Sequence, residues 1–266
     1  MTEFDADTAL ERRDDGWHGR ITDRWSIREG AANGGYIASF LIRAFAEASP
    51  QPDPLTMTTH YLEAPTTDSD VVVRVETLRE GRSHAFLSGR LEQAGRPVAV
   101  ALATFGRRRD DGPLVHEPAP VVARPDELPS PAAPRFPGMT FRDRFEQRVP
   151  PEFDPSGWPR EGPARSGGWQ RLVDRPLDDL AVPLFMDAWV PAVFASLGWG
   201  FAPTIELTVH WRTRPATSWH LGLFSTRFVV GGYMEEDGEL WGEDGVLVAQ
   251  SRQLARFIPD PALSPR

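Results

Sequence analysis

Two glycines stand directly before an apolar stretch in the segment NGGYIASFLIRAF, which begins at Asn33. Apolar residues recur there at spacings of three and four, which predicts a helix with one buried stripe. Glycine gives a helix start no side-chain cap, but it lets a ligand or another backbone approach the unpaired N–H groups of the first turn. Those N–H groups can bind a carbonyl oxygen, with tight packing of the helix as the alternative. The candidate binding residues are Asn33, Gly34, Gly35 and Tyr36.

Other residue types that commonly carry chemistry are sparse. The chain has no cysteine and no lysine, which excludes disulfides, thiolate ligands, a Cys nucleophile and Schiff-base catalysis. No G-x-S-x-G elbow occurs, so an α/β-hydrolase route is not expected. His60 and His210 form a repeated pair, a pattern more typical of structure than of catalysis, and the other histidines lack zinc-site spacing. We therefore predict neither a metal nor a cofactor.

Composition is that of an ordinary globular protein, with 40% hydrophobic and 25% charged residues among 266. A net charge of −9 gives no electrostatic footprint for nucleic acid and little attraction to an anionic membrane. The acidic amino terminus is unlike a secretory signal, and no apolar run approaches the length of a membrane span. These features favour a cytoplasmic protein.

Prolines divide the chain. Half of the 26 prolines lie between residues 113 and 163, a density that disfavours regular helix and central strand. We predict an N-terminal unit at 1–107, a Pro-rich linker at 108–135 and a C-terminal unit at 136–266.

The two units are copies of one pattern. A shift of 150 residues, without a gap, superimposes scattered identical residues from the fifties to the nineties of the first unit, which indicates an internal duplication. The matched pairs include Thr58 and Thr208, His60 and His210, Pro65 and Pro215, Gly95 and Gly245, and Val98 and Val248. In each unit an apolar helix is followed by four strand-like segments, and the helix segment of the second unit is FMDAWVPAVFASLG. The prediction is an α+β fold with one long helix wrapped by an antiparallel sheet in each unit.

This organisation resembles the double hot-dog fold, and the residues resemble the type II acyl-CoA thioesterase family. The segments that carry the resemblance are NGGYIASFLIRA, VETLREGRS, ATF, PTIELTVHWRTRP and DGVLVAQSRQLAR. They occur in the expected order and spacing in both halves, outside the linker. The resemblance implies a hydrolase of lipid metabolism that cleaves acyl-CoA with a water held by an Asp, a Thr and a Gln. Matched by position, these residues are Asp187, Thr204 and Gln253.

Physical arguments support two of these residues, Asp187 and Gln253, directly. A carboxylate at the start of the second apolar helix, four residues before Pro191, would be desolvated and so become a better base. Counting by two along the last strand places Gln253 on one face with Ala249 and Ser251. The duplication matches Asp187 with Ile37 and Gln253 with Ala103, so polar groups appear in one half where the other is apolar.

The duplication also bears on the two glycines. Their counterparts in the second unit are Leu184 and Phe185, so packing of the helix would not by itself demand glycine. We therefore expect the helix start in the first unit to face the thioester carbonyl. The basic run from Gly106 to Asp111 is either solvated or a contact for the phosphates of coenzyme A.

Two other functions remain open. An enoyl-thioester hydratase shares the double hot-dog fold, but it needs a His a few residues after its Asp, and none follows Asp187 before His210. A non-catalytic acyl-binding or oligomerisation module would keep the fold without turnover. The acyl chain, and the choice between coenzyme A and acyl carrier protein, are left open by these residues.

We predict a homo-oligomer, because the two fused units form a pseudo-dimer whose outer faces and sheet edges favour further pairing. Light scattering should give a mass at least twice the chain mass of 29.6 kDa. A clean monomer at working concentration would contradict this prediction.

Overall fold

The computed structural model describes residues 1–109, 117–129 and 138–263. Its helices are α1 (Glu3–Asp7), α2 (Gly34–Ala48), α3 (Val182–Met186) and α4 (Phe194–Leu197). The strands of the first half are β1 (Glu11–Arg13), β2 (Gly16–Ile21), β3 (Ser26–Arg28), β4 (Ala31–Ala32), β5 (Asp53–Tyr61), β6 (Ser69–Glu80), β7 (Ala85–Gln93) and β8 (Arg96–Gly106). Those of the second half are β9 (Phe145–Arg148), β10 (Ala164–Leu172), β11 (Gly200–Phe201), β12 (Thr204–Trp211), β13 (His220–Thr226), β14 (Val229–Val230), β15 (Tyr233–Gly242), β16 (Leu247–Arg256) and β17 (Ile258–Pro259).

Short 3-10 turns complete the regular structure. They cover Asp23–Trp25, Pro125–Glu127, Phe141–Arg144, Pro151–Phe153, Pro155–Gly157 and Pro261–Leu263. The predicted linker lies partly outside the described residues, and its described portion at 117–129 is irregular apart from one such turn. None of the described helices has the length and apolar content needed to cross a membrane.

Thirteen of the described strands form one antiparallel sheet in the order β1-β2-β6-β7-β8-β5-β12-β16-β15-β13-β10-β9, with β14 added beside β15. Strands β5 and β12 lie at the centre, so the two halves are joined edge to edge through them. The pairs β3–β4 and β11–β17 form two small separate ribbons. The predicted antiparallel sheet is confirmed.

The central pair of strands shows the duplication in its register. Thr58 lies opposite Thr208, and their hydroxyl oxygens are 2.8 Å apart. In the first unit Met57 lies opposite Ala103, and in the second Leu207 lies opposite Gln253. The same shift of 150 residues therefore relates both strands of each pair, as the sequence predicted.

Helix α2 is the long helix predicted for the first unit. The side chain of Asn33 caps it by accepting a hydrogen bond from the N–H of Tyr36 at 2.9 Å. Its apolar stripe, which includes Ile37, Leu41 and Phe45, is buried against the inner face of the sheet. The main apolar core contains residues of both halves.

The second unit does not contain the predicted long helix. Helix α3 ends at Met186, Asp187–Val193 is not helical, and α4 follows as a single turn. Pro191 explains the break, because it has no N–H to donate to the carbonyl of Asp187 and it disfavours helical geometry in the residue before it. That carbonyl instead accepts a hydrogen bond from Nδ2 of Asn33 at 2.8 Å. Asp187 therefore lies at the carboxyl end of a short helix, and its predicted place at a helix start was wrong.

The close approach of α3 to α2 gives Gly35 a packing role that the comparison of the two halves missed. A Cβ on Gly35 would lie 2.3 Å from the carbonyl oxygen of Pro183 and 2.7 Å from Cα of Leu184. Both are backbone atoms, so a side-chain rotation cannot relieve the clash. The inference that packing does not demand glycine is corrected at this position.

Gly35→Ala should destabilise the protein by about 1–3 kcal/mol or more, because overpacking must separate the two helices. A denaturant series at neutral pH measures the loss. Gly157→Ala is the matched control, since a Cβ there meets no atom within 4 Å. Equal stability of the two variants would contradict the packing argument.

Candidate functional site

The carboxylate of Asp187 lies at the amino end of helix α2, so the site is built from both halves of the chain. Its Oδ2 atom accepts hydrogen bonds from the backbone N–H of Gly35 at 2.9 Å and from Nδ2 of Asn33 at 3.0 Å. A helix amino end carries partial positive charge and unpaired N–H groups, so it suits a carboxylate. Asn33 also caps helix α2, so its one side chain holds both the helix start and the carboxylate of Asp187.

This contact corrects one prediction about the helix start. The N–H of Gly35 was expected to face a thioester carbonyl, whereas it donates to Asp187. The neighbouring Gly34 leaves room for the carboxylate, because a Cβ there would lie 3.0 Å from Oδ2 of Asp187. It would also lie 3.3 Å from the ring of Tyr61, whose hydroxyl donates to the Gly34 carbonyl at 2.8 Å.

Burial raises the pKa of Asp187 to about 6, against the opposing effect of the backbone N–H groups of Gly35 and Gly34 and the side-chain amide of Asn33. The residue keeps some exposed surface. Within the part of the chain that the structure describes, no hydrogen bond reaches its Oδ1. Asp187 is thus mostly ionised at neutral pH and more basic than an ordinary aspartate, and one of its oxygens has no hydrogen-bond partner among these residues.

Tyr61 was not identified as a site residue from the sequence. Burial, followed by the negative charges of Asp187 and Glu206, raises its pKa well above the ordinary value. Its hydroxyl therefore stays protonated and keeps its hydrogen bond to Gly34. The only sequence signal was its match with Trp211 in the duplication.

Tyr36 belongs to the core of the first half. It is fully buried, and its ring stacks on Trp25 with centroids 5.5 Å apart. Its hydroxyl donates to the carbonyl of Asp7 at 2.9 Å and accepts from the N–H of Thr22. The side chain of Tyr36 is therefore occupied by packing, and only its backbone N–H belongs to the helix start.

Gln253 faces inward from β16, as the alternation predicted. It is 5% exposed, and Ala249 and Ser251 on the same face are also buried. Thr204 begins β12 opposite Ala255, two residues along the strand from Gln253. Since directly paired residues and alternate residues share a face of a sheet, Thr204 and Gln253 face the same side. Helix α3, which precedes Asp187, packs against β15 and β16 on this side.

Glu236 on β15 lies directly opposite Gln253 and was missed from the sequence. It is 7% exposed, and its Oε2 accepts a hydrogen bond from the N–H of Ala192 at 2.5 Å. Burial raises its pKa to about 8, with the charge of Asp187 acting in the same direction and the Ala192 N–H acting against it. Alternation along YMEEDGELW places Glu236 on the same face as Met234 and Leu240, a signal that could have identified it.

Further polar groups are buried behind the segment that carries Asp187. Nε2 of Gln170 donates to the carbonyl of Phe185 at 3.1 Å, and the ring of His220 meets Phe185 edge-on with centroids 5.9 Å apart. Burial lowers the pKa of His220 to about 4, so it is neutral at physiological pH. These contacts hold the end of α3 against the sheet.

The remaining candidates lie elsewhere. His60 and His210 are exposed on the outer face of β5 and β12. Among residues 1–109, 117–129 and 138–263, no group of three His, Asp or Glu side chains could hold a metal ion.

The basic run that begins at Gly106 contains one residue with a structural role. Arg108 pairs with Asp179 and donates through its backbone N–H to Asp53 at 2.8 Å. The guanidinium is 7% exposed, so the expectation that Arg108 meets coenzyme A phosphates is corrected. The last two residues of the run lie outside the described residues.

Comparison with known proteins matches most of the chain to one family. Residues 21–106 match the model described as acyl-CoA thioesterase N-terminal domain, and residues 124–257 match acyl-CoA thioesterase C-terminal domain. An uncharacterized protein of Mycobacterium tuberculosis H37Rv is 26% identical over 264 residues, which cover 90% of each chain. A Thermobifida fusca YX protein provisionally named thioesterase II is 25% identical, with a TM-score of 0.88 over 97% of this chain and 98% of that one. A hot-dog-fold protein of unknown function from Alicyclobacillus acidocaldarius is also 25% identical, with a TM-score of 0.87 over 98% and 99%.

The raised pKa of Asp187 predicts how stability depends on pH. Between about pH 4 and 6 the folded state binds the Asp187 proton and the unfolded state releases it, so this group lowers stability as pH rises. Asp187→Asn removes the titration, so the parent should lose stability relative to this variant between pH 4.5 and 7. Denaturant unfolding of both proteins at pH 4.5 and at pH 7 measures this change in relative stability.

Asp126→Asn is the control for this measurement, because Asp126 is largely exposed. The free energy of unfolding of the Asp126→Asn protein should differ from that of the parent by the same amount at pH 4.5 and at pH 7. If Asp187→Asn behaved in the same way, the carboxylate would not be desolvated as the structure indicates.

Proposed function

We propose that this chain, which belongs to the type II acyl-CoA thioesterase family, hydrolyses an acyl-CoA to the free acid and coenzyme A with Asp187 as the base. The family supports thioester cleavage and acyl-CoA as the substrate class. The observation that carries the proposal is the state of the Asp187 carboxylate. One oxygen is held by the helix start of the first half, and the other has no hydrogen-bond partner among the described residues.

In the proposed reaction, Oδ1 of Asp187 accepts a proton from a water molecule while the water oxygen attacks the thioester carbonyl carbon. The tetrahedral intermediate then collapses, the C–S bond breaks with its electron pair going to sulfur, and the thiolate takes the proton that Asp187 accepted, which regenerates the carboxylate. A base with a pKa near 6 is mostly ionised at neutral pH and is a stronger proton acceptor than an exposed aspartate. The bonds to Oδ2 orient the carboxylate before the reaction.

Gln253 and Thr204 are proposed to hold the attacking water. Both face the inner side of the second unit, where α3, which ends one residue before Asp187, packs against β15 and β16. An amide has a donor and an acceptor, and a hydroxyl can serve as either, so together they can orient a water without competing for its proton. Asn33 and Gly34 are proposed to border the substrate cleft beside the carboxylate.

Asp187→Asn should lower turnover of the best acyl-CoA by roughly 10²–10⁴-fold, because the amide keeps the shape but cannot accept the proton. Release of free thiol across a panel of acyl-CoA esters measures the rate, and unfolding curves check that the variant is folded. Gln253→Ala and Thr204→Ala should each have a smaller effect and combine non-additively if they hold one water.

His60→Ala is the matched control, since His60 is exposed on the outer face of the sheet. Its rate should stay near that of the parent. A folded Asp187→Asn protein with parental activity would show that the base, or the reaction, has been misassigned.

A further inference from the structure

Glu236 is a buried acid that the proposed hydrolysis does not use. Its one described hydrogen bond comes from Ala192, in the non-helical segment that follows Asp187. Among the residues described, no arginine or histidine pairs with it. The charged groups that influence it are both acids, Asp187 and the adjacent Glu235. The carboxylate of Glu235 accepts from the backbone N–H groups of Arg227 and Phe228.

Comparison of the two units shows that the fold does not require an acid at this position. In the first unit, the strand pair β7–β8 places Leu87 opposite Ala103. In the second, β15–β16 places Glu236 opposite Gln253. Ala103 and Gln253 are equivalent by the 150-residue shift and by register, so one apolar cross-strand pair corresponds to one polar pair. A buried carboxyl without a cationic partner costs stability, so packing alone does not explain its presence.

We infer that Glu236 is a positioning residue that, through the two oxygens of its carboxyl group, holds both the segment after Asp187 and the side-chain amide of Gln253. This inference rests on the proposed function. Oε2 accepts from Ala192 and so fixes the loop that leads away from Asp187. The second oxygen carries a proton and donates it in a hydrogen bond to the amide oxygen of Gln253. The NH₂ group of that amide is then directed away from the sheet, towards the attacking water.

The geometry of the strand pair makes this contact possible. Directly opposed residues on antiparallel strands have Cβ atoms about 4.5–5.5 Å apart, within reach of two long polar side chains. A protonated carboxyl is both donor and acceptor, whereas an ionised one only accepts. The pKa of about 8 keeps the donor in place at neutral pH. Above pH 8 the group loses its proton, releases Gln253 and adds a second negative charge near Asp187.

The test compares two substitutions across a pH series. Glu236→Gln keeps a donor and an acceptor but cannot titrate, so it should retain turnover within a few fold at pH 7 and lose the fall in activity that the parent shows near pH 8. Glu236→Leu introduces the residue found in the first unit and should lower kcat roughly 5- to 100-fold with a smaller change in KM. Glu235→Gln is the control and should keep the alkaline fall, with its midpoint only slightly lower, because one nearby negative charge that raises the pKa of Glu236 is removed.

A second measurement does not depend on hydrolysis. The side-chain NH₂ signals of Gln253 in a ¹⁵N–¹H spectrum, assigned by their loss in Gln253→Ala, should shift between pH 7 and 9 in the parent. They should not shift in Glu236→Gln. If the protein hydrolyses no acyl-CoA but its Gln253 signals shift in this way, the proposed function is refuted and the contact between Glu236 and Gln253 is supported.

Two results would overturn the inference. One is a folded Glu236→Gln protein with the parental alkaline fall and the parental Gln253 shift. The other is Glu236→Leu with unchanged kcat. If the leucine variant does not fold, the pH profile and the spectrum of the glutamine variant still decide the question.

Discussion

The contact between Asp187 and the amino end of helix α2 links the two halves of the molecule at the site. The carboxylate comes from the second half, and both groups that hold its Oδ2 atom come from the first. Burial alone would push this carboxyl strongly towards its neutral form. The N–H of Gly35 and the amide of Asn33 oppose that effect, and the result is a carboxylate that is still mostly ionised at neutral pH. Neither half could form this arrangement alone.

The duplicated frame supplies symmetry, and the site depends on where that symmetry is lost. Thr58 and Thr208 meet at the centre of the sheet, with equivalent strands on each side. Away from this centre the first half keeps a long helix and an apolar inner face, and its role is to support the polar residues of the second half. The second half replaces apolar residues with Glu236 and Gln253 and interrupts its helix. Burying such groups costs stability, and that cost is tolerable because the core shared with the first half is large.

The main strand segments, their equivalence between the two halves and helix α2 could be predicted because they follow from alternation, a constant shift and helical spacing. The inward direction of Gln253 followed from the same counting. Three features were missed. The break in the second helix was missed because apolar residues continue at helical spacing on both sides of Pro191. The demand for glycine at Gly35 depends on a helix contact more than 140 residues away in the sequence. Alternation along its strand could have identified Glu236 as an inward acid, but its hydrogen bond from Ala192, 44 residues earlier, depends on the break in the second helix.

The missed proline connects several of these features. In a continuous helix the carbonyl of Asp187 would accept from residue 191, and the N–H of Ala192 would donate to residue 188. Pro191 prevents the first bond, and the chain leaves the helix before the second can form. Both backbone groups then find partners outside the segment, the carbonyl at Asn33 and the N–H at Glu236. The interruption thus attaches one side of the Asp187 segment to the helix start of the first half and the other side to the sheet of the second. A regular helix would have used both groups internally and left the carboxylate with fewer restraints on its orientation.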